Sequence, residues 1–258
     1  MATFFFDIDG TLAAHGQIVE EHKLILKQLR DLGHTVCICT GRPYAYAAAL
    51  FDAYVDGYVA SNGRYLVYQG RCVYELPLTV EEITDMQKIA ESLQVQLLFY
   101  GTNKQYACGM SEAMKTIVME TRKEQVQLAW DKEREPVYSL NVCYQPPNTI
   151  EILRKAYAHM LILNDHDDNF SADATTMTFD KGNGIEKLLE LLNLSKEDTY
   201  AFGDGANDVS MFRVCCHTIA MGNAVDELKE RANYITSHFQ QHGIRKALCY
   251  YHILPCGK

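Results

Sequence analysis

The stretch Thr3-Phe4-Phe5-Phe6-Asp7-Ile8-Asp9-Gly10-Thr11 decides how this chain is read. A β-branched residue and three phenylalanines, with no polar alternation, describe a strand buried on both faces, as in the interior of a parallel sheet. Two carboxylates two residues apart follow at once, and Gly10 supplies a turn. In an open parallel sheet, ligands gather where the carboxyl ends of strands emerge, so Asp7 and Asp9 hold a privileged position. A carboxylate is a competent nucleophile toward phosphorus, and a second one nearby can give and take protons.

Outward from this strand, short apolar runs alternate with helical patterns, as expected of an α/β fold. Glu20–Leu32 reads as a helix stopped by Gly33, Thr35–Cys39 as a strand, Tyr44–Phe51 as a helix and Tyr58–Ala60 as a third strand. Tyr65–Tyr68 and Cys72–Leu76 form a hairpin pattern around Gln69-Gly70, and Pro77 breaks it. Thr79-x-x-Glu82 is a capping box that opens the helix Val80–Leu93. The texture then changes to strands at Gln96–Tyr100, Gln105–Cys108, Val137–Tyr144 and Met160–Leu163, with helices over Ser111–Leu128 and Thr149–Ala158. The first texture resumes with a helix at Gly184–Leu192, a strand at Tyr200–Phe202, and further elements to Tyr234–Ile235. The expected organisation is a Rossmann-like three-layer core with a parallel sheet (residues 1–78 and 171–258) and an inserted α+β module (79–170).

Composition narrows the function. The 258 residues carry 24 Lys+Arg against 33 Asp+Glu, a net charge of −9, which argues against a nucleic-acid surface. No apolar run approaches the roughly 18 residues that span a bilayer, and no basic segment or cleavage site follows Met1, so a cytoplasmic protein is expected. The nine cysteines form no C-x-x-C pair, so reduced thiols are expected, with Cys37 and Cys39 as apolar filler beside the sheet.

Three further motifs bear on chemistry. Thr40-Gly41-Arg42 follows the second strand, where a hydroxyl and a backbone N–H could hold phosphoryl oxygens. Lys181 stands just before a helix in Asp180-Lys181-Gly182-Asn183-Gly184. Gly203-Asp204-Gly205-Ala206-Asn207-Asp208 again joins a strand to a helix, and its oxygen-bearing side chains suit Mg²⁺. The last motif is not a dinucleotide turn, because Asp208 stands where a third glycine is needed and would repel pyrophosphate. Taken alone, Thr40-Gly41 reads as a strand end and Lys181 as solvated surface; together the motifs are far more specific.

Their order, D-x-D-G-T, T-G-R, K-G and G-D-x-x-N-D, resembles the haloacid-dehalogenase-like superfamily, in particular its Cof-type phosphatases with an inserted α/β cap. Ser61-Asn62-Gly63 and Ala220-Met221-Gly222-Asn223-Ala224 are further matches, so the resemblance spans the core segments. It implies that Asp7 is a nucleophile that becomes an aspartyl-phosphate and that Asp9 is the acid/base. It also implies Mg²⁺ on the Asp7 and Asp204 side chains and the Asp9 carbonyl, with Asp208 orienting that site. Thr40, Gly41, Lys181, Asn207 and the Ile8 backbone are implied phosphoryl contacts. The substrate expected is a small phosphate ester, foremost a sugar phosphate, selected by a mobile cap.

The chain departs from the family pattern at Arg64, where an alanine often follows Ser-Asn-Gly, and at Asn183-Gly184, which reads as loosening the helix start. In the insertion, the acidic run 165–168 reads as a solvated turn and His166 as a surface residue. Tyr100, Tyr106, Tyr138 and Tyr144 read as packing on the module's own helices. A phosphosugar mutase of the same fold and a non-catalytic phospho-accepting receiver are the alternatives. Receivers are about half this length, and the stretch between Asp9 and Thr40 has no room for the additional cap of bacterial β-phosphoglucomutases.

Overall fold

The computed structural model describes residues 1–258 except 113, 116, 117, 119–124, 129, 166–169, 257 and 258. Thr3–Phe6 lies in the middle of an eight-stranded sheet, parallel to Thr35–Cys39 on one side and Thr199–Gly203 on the other. Beyond Thr35–Cys39 come Gly57–Ala60 and the antiparallel hairpin Tyr65–Tyr68/Arg71–Glu75. Beyond Thr199–Gly203 come His217–Ala220 and Tyr234–Ile235. The chain thus builds one flank of the sheet, leaves, and returns to build the other. Thr3–Phe6 and Thr199–Gly203 therefore flank the point where strand order reverses, the position at which such sheets open a crevice.

The aromatic strand holds the layers together. Phe4 and Phe6 are buried against Ile25, Leu26, Ile244 and Leu248 on one face. Phe5 is buried against Val59, Ile185, Leu188 and Met211 on the other. Phe6 pairs with Phe202 across the strands, their rings 4.7 Å apart, so the residues that follow them leave the sheet side by side. Full burial of each such side chain stabilises by roughly 1.5–3 kcal/mol, enough to fix the register from which the two following loops start.

Several elements were not legible. Ala13–Ala14 and Gln17–Ile18 form a small hairpin, and Gly243–Tyr250 is a helix against the core. The chain between Asp9 and Thr40 holds that hairpin, the helix Glu20–Asp31 and the strand Thr35–Cys39. Cys249 and Cys256 are joined in a disulfide, which corrects the expectation of nine reduced thiols; Cys37 and Cys39 are buried beside the sheet as expected.

The second sheet has six strands, in the order Gln125–Gln127, Lys104–Ala107, Gln96–Tyr100, Ser139–Cys143, Ser171–Thr176, Leu161–Asp165. Ser171–Thr176, assigned from sequence to the start of the returning core, belongs to this sheet and pairs with Ser139–Cys143 and Leu161–Asp165. Small residues in Ser-Ala-Asp-Ala-Thr-Thr hid a strand whose partners, not its own propensity, hold it. The helix expected over Ser111–Leu128 is also corrected at its end, where Gln125–Gln127 pairs in parallel with Lys104–Ala107. Residues 166–168 of the acidic run, His166 among them, lie outside the described residues.

The helices Val80–Leu93 and Ile150–Ala156 cover one face of this sheet, where Ile83, Met86, Leu97, Phe99 and Leu153 pack together. Tyr106 and Tyr144 join that cluster, as expected. Tyr100 does not; it lies on the other face, and the Tyr138 hydroxyl reaches Glu75 of the large sheet at 2.5 Å.

Both chain crossings between the sheets meet at Arg64, which is 4% exposed. Its guanidinium donates to the carbonyls of Leu76 and Pro77 on the outgoing crossing, at 3.2 and 3.4 Å. On the returning one it donates to the hydroxyls of Thr176 and Thr178, at 2.9 and 3.3 Å. A planar fork of donors can satisfy several acceptors at once, which a lysine ammonium would not match.

Candidate active site

Asp7 continues the ladder, its N–H donating to the Phe202 carbonyl at 2.9 Å, before the chain turns away from the sheet. The turn is closed by the Ile8 carbonyl, which accepts the N–H groups of Thr11, Leu12 and Ala13. Gly10 sits at φ +80°, and a Cβ there would lie 2.1 Å from an Asp204 carboxylate oxygen. No other residue lets the two loops approach so closely.

Lys181 is the centre of the site. Its helix, Lys181–Leu192, starts at Asp180 in a capping box completed by Asn183, so the Asn183-Gly184 pair does not loosen the start as the sequence suggested. Gly184 instead packs against Gly63. The side chain of Lys181 is fully buried, with Nζ 2.6 Å from Asp7 Oδ1 and 2.7 Å from Asp208 Oδ1. Desolvation acts to lower its pKa, but Asp208 and Asp7 outweigh it and hold the ammonium charged.

The other oxygen of Asp208 accepts the backbone N–H groups of Asp204 and Gly205, both at 2.9 Å. Asp204 accepts from the Thr11 hydroxyl at 2.9 Å and from the Asn223 amide at 3.3 Å; that amide also donates to the Gly10 carbonyl. Ligand atoms of Asp7, Asp204 and Asp208 all lie within 4.8 Å of one another. Three carboxylates against one ammonium leave a deficit of positive charge. Burial, aided by the neighbouring carboxylates, lifts Asp7 well above the usual range and Asp204 to about 7. A compact set of hard oxygen donors that lacks positive charge fits a small divalent cation such as Mg²⁺.

Asp9 points elsewhere. Its Oδ2 accepts from Arg42 Nε at 2.9 Å, and the Arg42 guanidinium lies 5.2 Å from the centre of the Tyr46 ring. Thr40 Oγ1 accepts the Arg42 N–H at 3.1 Å, which tightens this loop. Asn207 is half-buried in the turn Ala206–Asp208, beside Gly205. Thus Asp7, Asp204, Asp208 and Lys181 converge on one point. Asp9 lies beside them on Arg42, with Thr40, Gly41 and Asn207 on the loops around.

A cavity separates these loops from the second sheet. Gly41, Arg42 and Asn62 form its lower wall, and Tyr100, Asn141 and Asp173 its upper one. Asn141 and Asp173 are directly opposed on neighbouring strands, on the face turned away from the helices. Sequence reasoning assigned no contacts to Arg42, Thr11, Asn223 or Asn62. The available signal was position: each lies in a loop that leaves the carboxyl end of a strand of the large sheet.

Residues 4–248 match the family model for haloacid dehalogenase-like hydrolases. The chain is 29% identical over 249 residues to the putative phosphatase YkrA of Bacillus subtilis, covering 95% of each chain. It is 26% identical over 253 residues to phosphoglycolate phosphatase 1 of Saccharolobus solfataricus, covering 93% of this chain and 91% of that one. Among solved structures, the subclass IIB sugar phosphatase BT4131 superposes with a TM-score of 0.84 at 26% identity, covering 98% of this chain and 100% of that one. With its inserted cap sheet and converging carboxylates, the chain belongs to the haloacid dehalogenase-like hydrolases, as a phosphatase of the Cof type.

Proposed function

We propose that this protein is a Mg²⁺-dependent phosphomonoester hydrolase that acts on small phosphorylated metabolites, foremost sugar phosphates, through an aspartyl-phosphate on Asp7. The observation that carries the reading is the placement of Asp7 at the strand-order reversal, held by Lys181 at 2.6 Å and clustered with Asp204 and Asp208. The Asp7 and Asp204 side chains and the Asp9 carbonyl would hold Mg²⁺, with Asp208 orienting the site. The ion supplies neutralising charge to the phosphoryl oxygens.

In this reading a carboxylate oxygen of Asp7 attacks phosphorus while the ester oxygen departs with a proton from Asp9. Asp9 then takes a proton from water, whose oxygen attacks the same phosphorus; phosphate leaves and Asp7 is regenerated. Lys181, Thr40, Gly41, Asn207 and the Ile8 backbone hold the phosphoryl oxygens, since this chemistry is mostly positioning and charge stabilisation. Arg42 orients Asp9 through their 2.9 Å contact. The second sheet, entered after residue 78 and left near residue 176, is the cap that covers the alcohol part of the substrate.

The name of the BT4131 relative, a sugar phosphatase, supports sugar phosphates over phosphoproteins, as does a cavity closed above by the second sheet. A steady-state phosphate-release screen over sugar phosphates, nucleotides, pyridoxal phosphate and flavin mononucleotide with Mg²⁺ tests it. Sugar phosphates are expected to be hydrolysed best. Release from none of them, or equal release with and without the Asp7 carboxylate, would refute the reading.

A further inference from the structure

The mechanism gives no role to Ser61-Asn62-Gly63, yet this turn is built into the loop that holds Arg42. The Ser61 and Asn62 N–H groups donate to the carbonyls of Arg42 and Thr40, both at 3.0 Å. Asn62 is 5% exposed and lines the cavity below the second sheet. Its Oδ1 is buried and has no hydrogen-bond partner among the described residues. Leaving a buried carbonyl unpaired costs about 1–3 kcal/mol, so a donor that reached Oδ1 when the cavity is occupied would recover that cost.

We infer that Asn62 is a specificity-determining residue whose Oδ1 accepts a hydrogen bond from a hydroxyl on the alcohol part of the substrate. The inference rests on the phosphatase reading above and adds to it the residue that recognises the alcohol. Three observations place the carboxamide for this task. A Cβ on Gly41 would stand 3.1 Å from Oδ1, so the bare Gly41 backbone leaves the carboxamide its space. Asn62 has φ 52° and ψ 40°, a left-handed conformation that asparagine tolerates, which fixes its direction. Arg42, which also lines the cavity, contacts Asp9, so one residue links the cavity to the proton donor of the proposed mechanism.

The chemistry of the walls selects the alcohol. The Arg42 guanidinium is paired with Asp9 and is also held charged by Asp173 across the cavity, so its charge is already matched. The lining holds the carboxamide of Asn62 below and the Asp173 carboxylate above, opposite Asn141, so that with Asp9 two carboxylates stand beside one guanidinium. Such a cavity welcomes hydroxyl donors and repels a second anionic group. Polyhydroxy phosphate esters are therefore favoured over phosphorylated carboxylic acids.

The test compares kcat/KM for glycerol 3-phosphate and n-propyl phosphate, which differ only in hydroxyls, in wild type, Asn62→Gly and Asn62→Asp with Mg²⁺. The wild type is expected to favour glycerol 3-phosphate by at least about tenfold, because a site built to bind a hydroxyl discriminates against its absence. Asn62→Gly keeps the backbone conformation but removes the acceptor, and should bring the ratio to within about threefold of unity. Asn62→Asp keeps an acceptor oxygen and tolerates the same backbone, so it should retain the preference whatever its absolute rate. A wild type indifferent to the hydroxyls, or an Asn62→Gly ratio equal to the wild-type ratio, would overturn the assignment and leave the phosphatase reading standing. Absence of phosphate release from every ester, p-nitrophenyl phosphate included, would overturn both.

Discussion

Lys181 and Asp208 form an ion pair of 2.7 Å in which neither side chain has any exposed surface. Removing one partner of such a pair leaves a buried charge without compensation, at a cost of about 3–5 kcal/mol. Lys181→Met is therefore expected to lower unfolding stability by that amount in urea titrations and to abolish turnover. A variant of wild-type stability would show that the carboxylates do not depend on Lys181.

Asp7→Asn separates chemistry from folding. An amide is a poor nucleophile, so phosphate release should fall by at least about a thousandfold. The melting temperature should not fall, because burial already disfavours the ionised Asp7 carboxyl and the substitution removes that charge. If even a tenth of the wild-type rate survived, Asp7 could not be the nucleophile.

Chelation should remove activity, and added Mg²⁺ should restore it together with a higher melting temperature. A ligand that binds only the folded state at a hundred times its dissociation constant adds about 2.7 kcal/mol. Ca²⁺ accepts bidentate carboxylates, so it is expected to stabilise the fold while inhibiting turnover, by occupying the Asp7 oxygen that must attack. Full activity in Ca²⁺ with chelated Mg²⁺ would contradict this.

His22 gives the fold a pH dependence. It is fully buried, with Nδ1 2.9 Å from the Leu12 carbonyl, and burial lowers its pKa below the ordinary 6.5 against the opposing effect of that contact. The unfolded chain therefore takes up a proton first as pH falls. Its contribution is complete above pH 6.5 and is lost below it, by up to about 1.4 kcal/mol per pH unit. Denaturation curves of the wild type and His22→Gln should draw together between pH 6.5 and 5. Parallel pH profiles would rule the effect out.

Arg64→Met should destabilise by about 2–4 kcal/mol, since several acceptors on both crossings lose their donor. Arg64→Lys should rescue little of this. Limited proteolysis at residues 76–79 and 177–180 reports the loosening; unchanged cleavage rates would deny Arg64 its role at the crossings.

The central strand, the alternation of the core and the four motifs were legible because local chemistry sets them. Four buried residues ahead of Asp7 need no partner to be recognised as an interior strand. Ser171–Thr176 was not legible because its pairing is dictated by residues far away in sequence. The same holds within the site. D-x-D marks Asp7 and Asp9 alike, but nothing local tells that Asp9 turns to Arg42 while Asp7 turns to Lys181. Nor does a lone lysine before a helix announce that it is buried between two carboxylates.

The convergence of both crossings on Arg64 also bears on how such a chain folds and changes over generations. To the core, the whole insertion is a loop whose ends already lie together, and the entropy of closing a flexible loop grows only with the logarithm of its length. Doubling the insertion would add about 0.6 kcal/mol to that cost. The core can therefore accept larger, smaller or differently built insertions at this junction with little loss of stability, while the strands that lead to Asp7 and Asp204 stay unaltered.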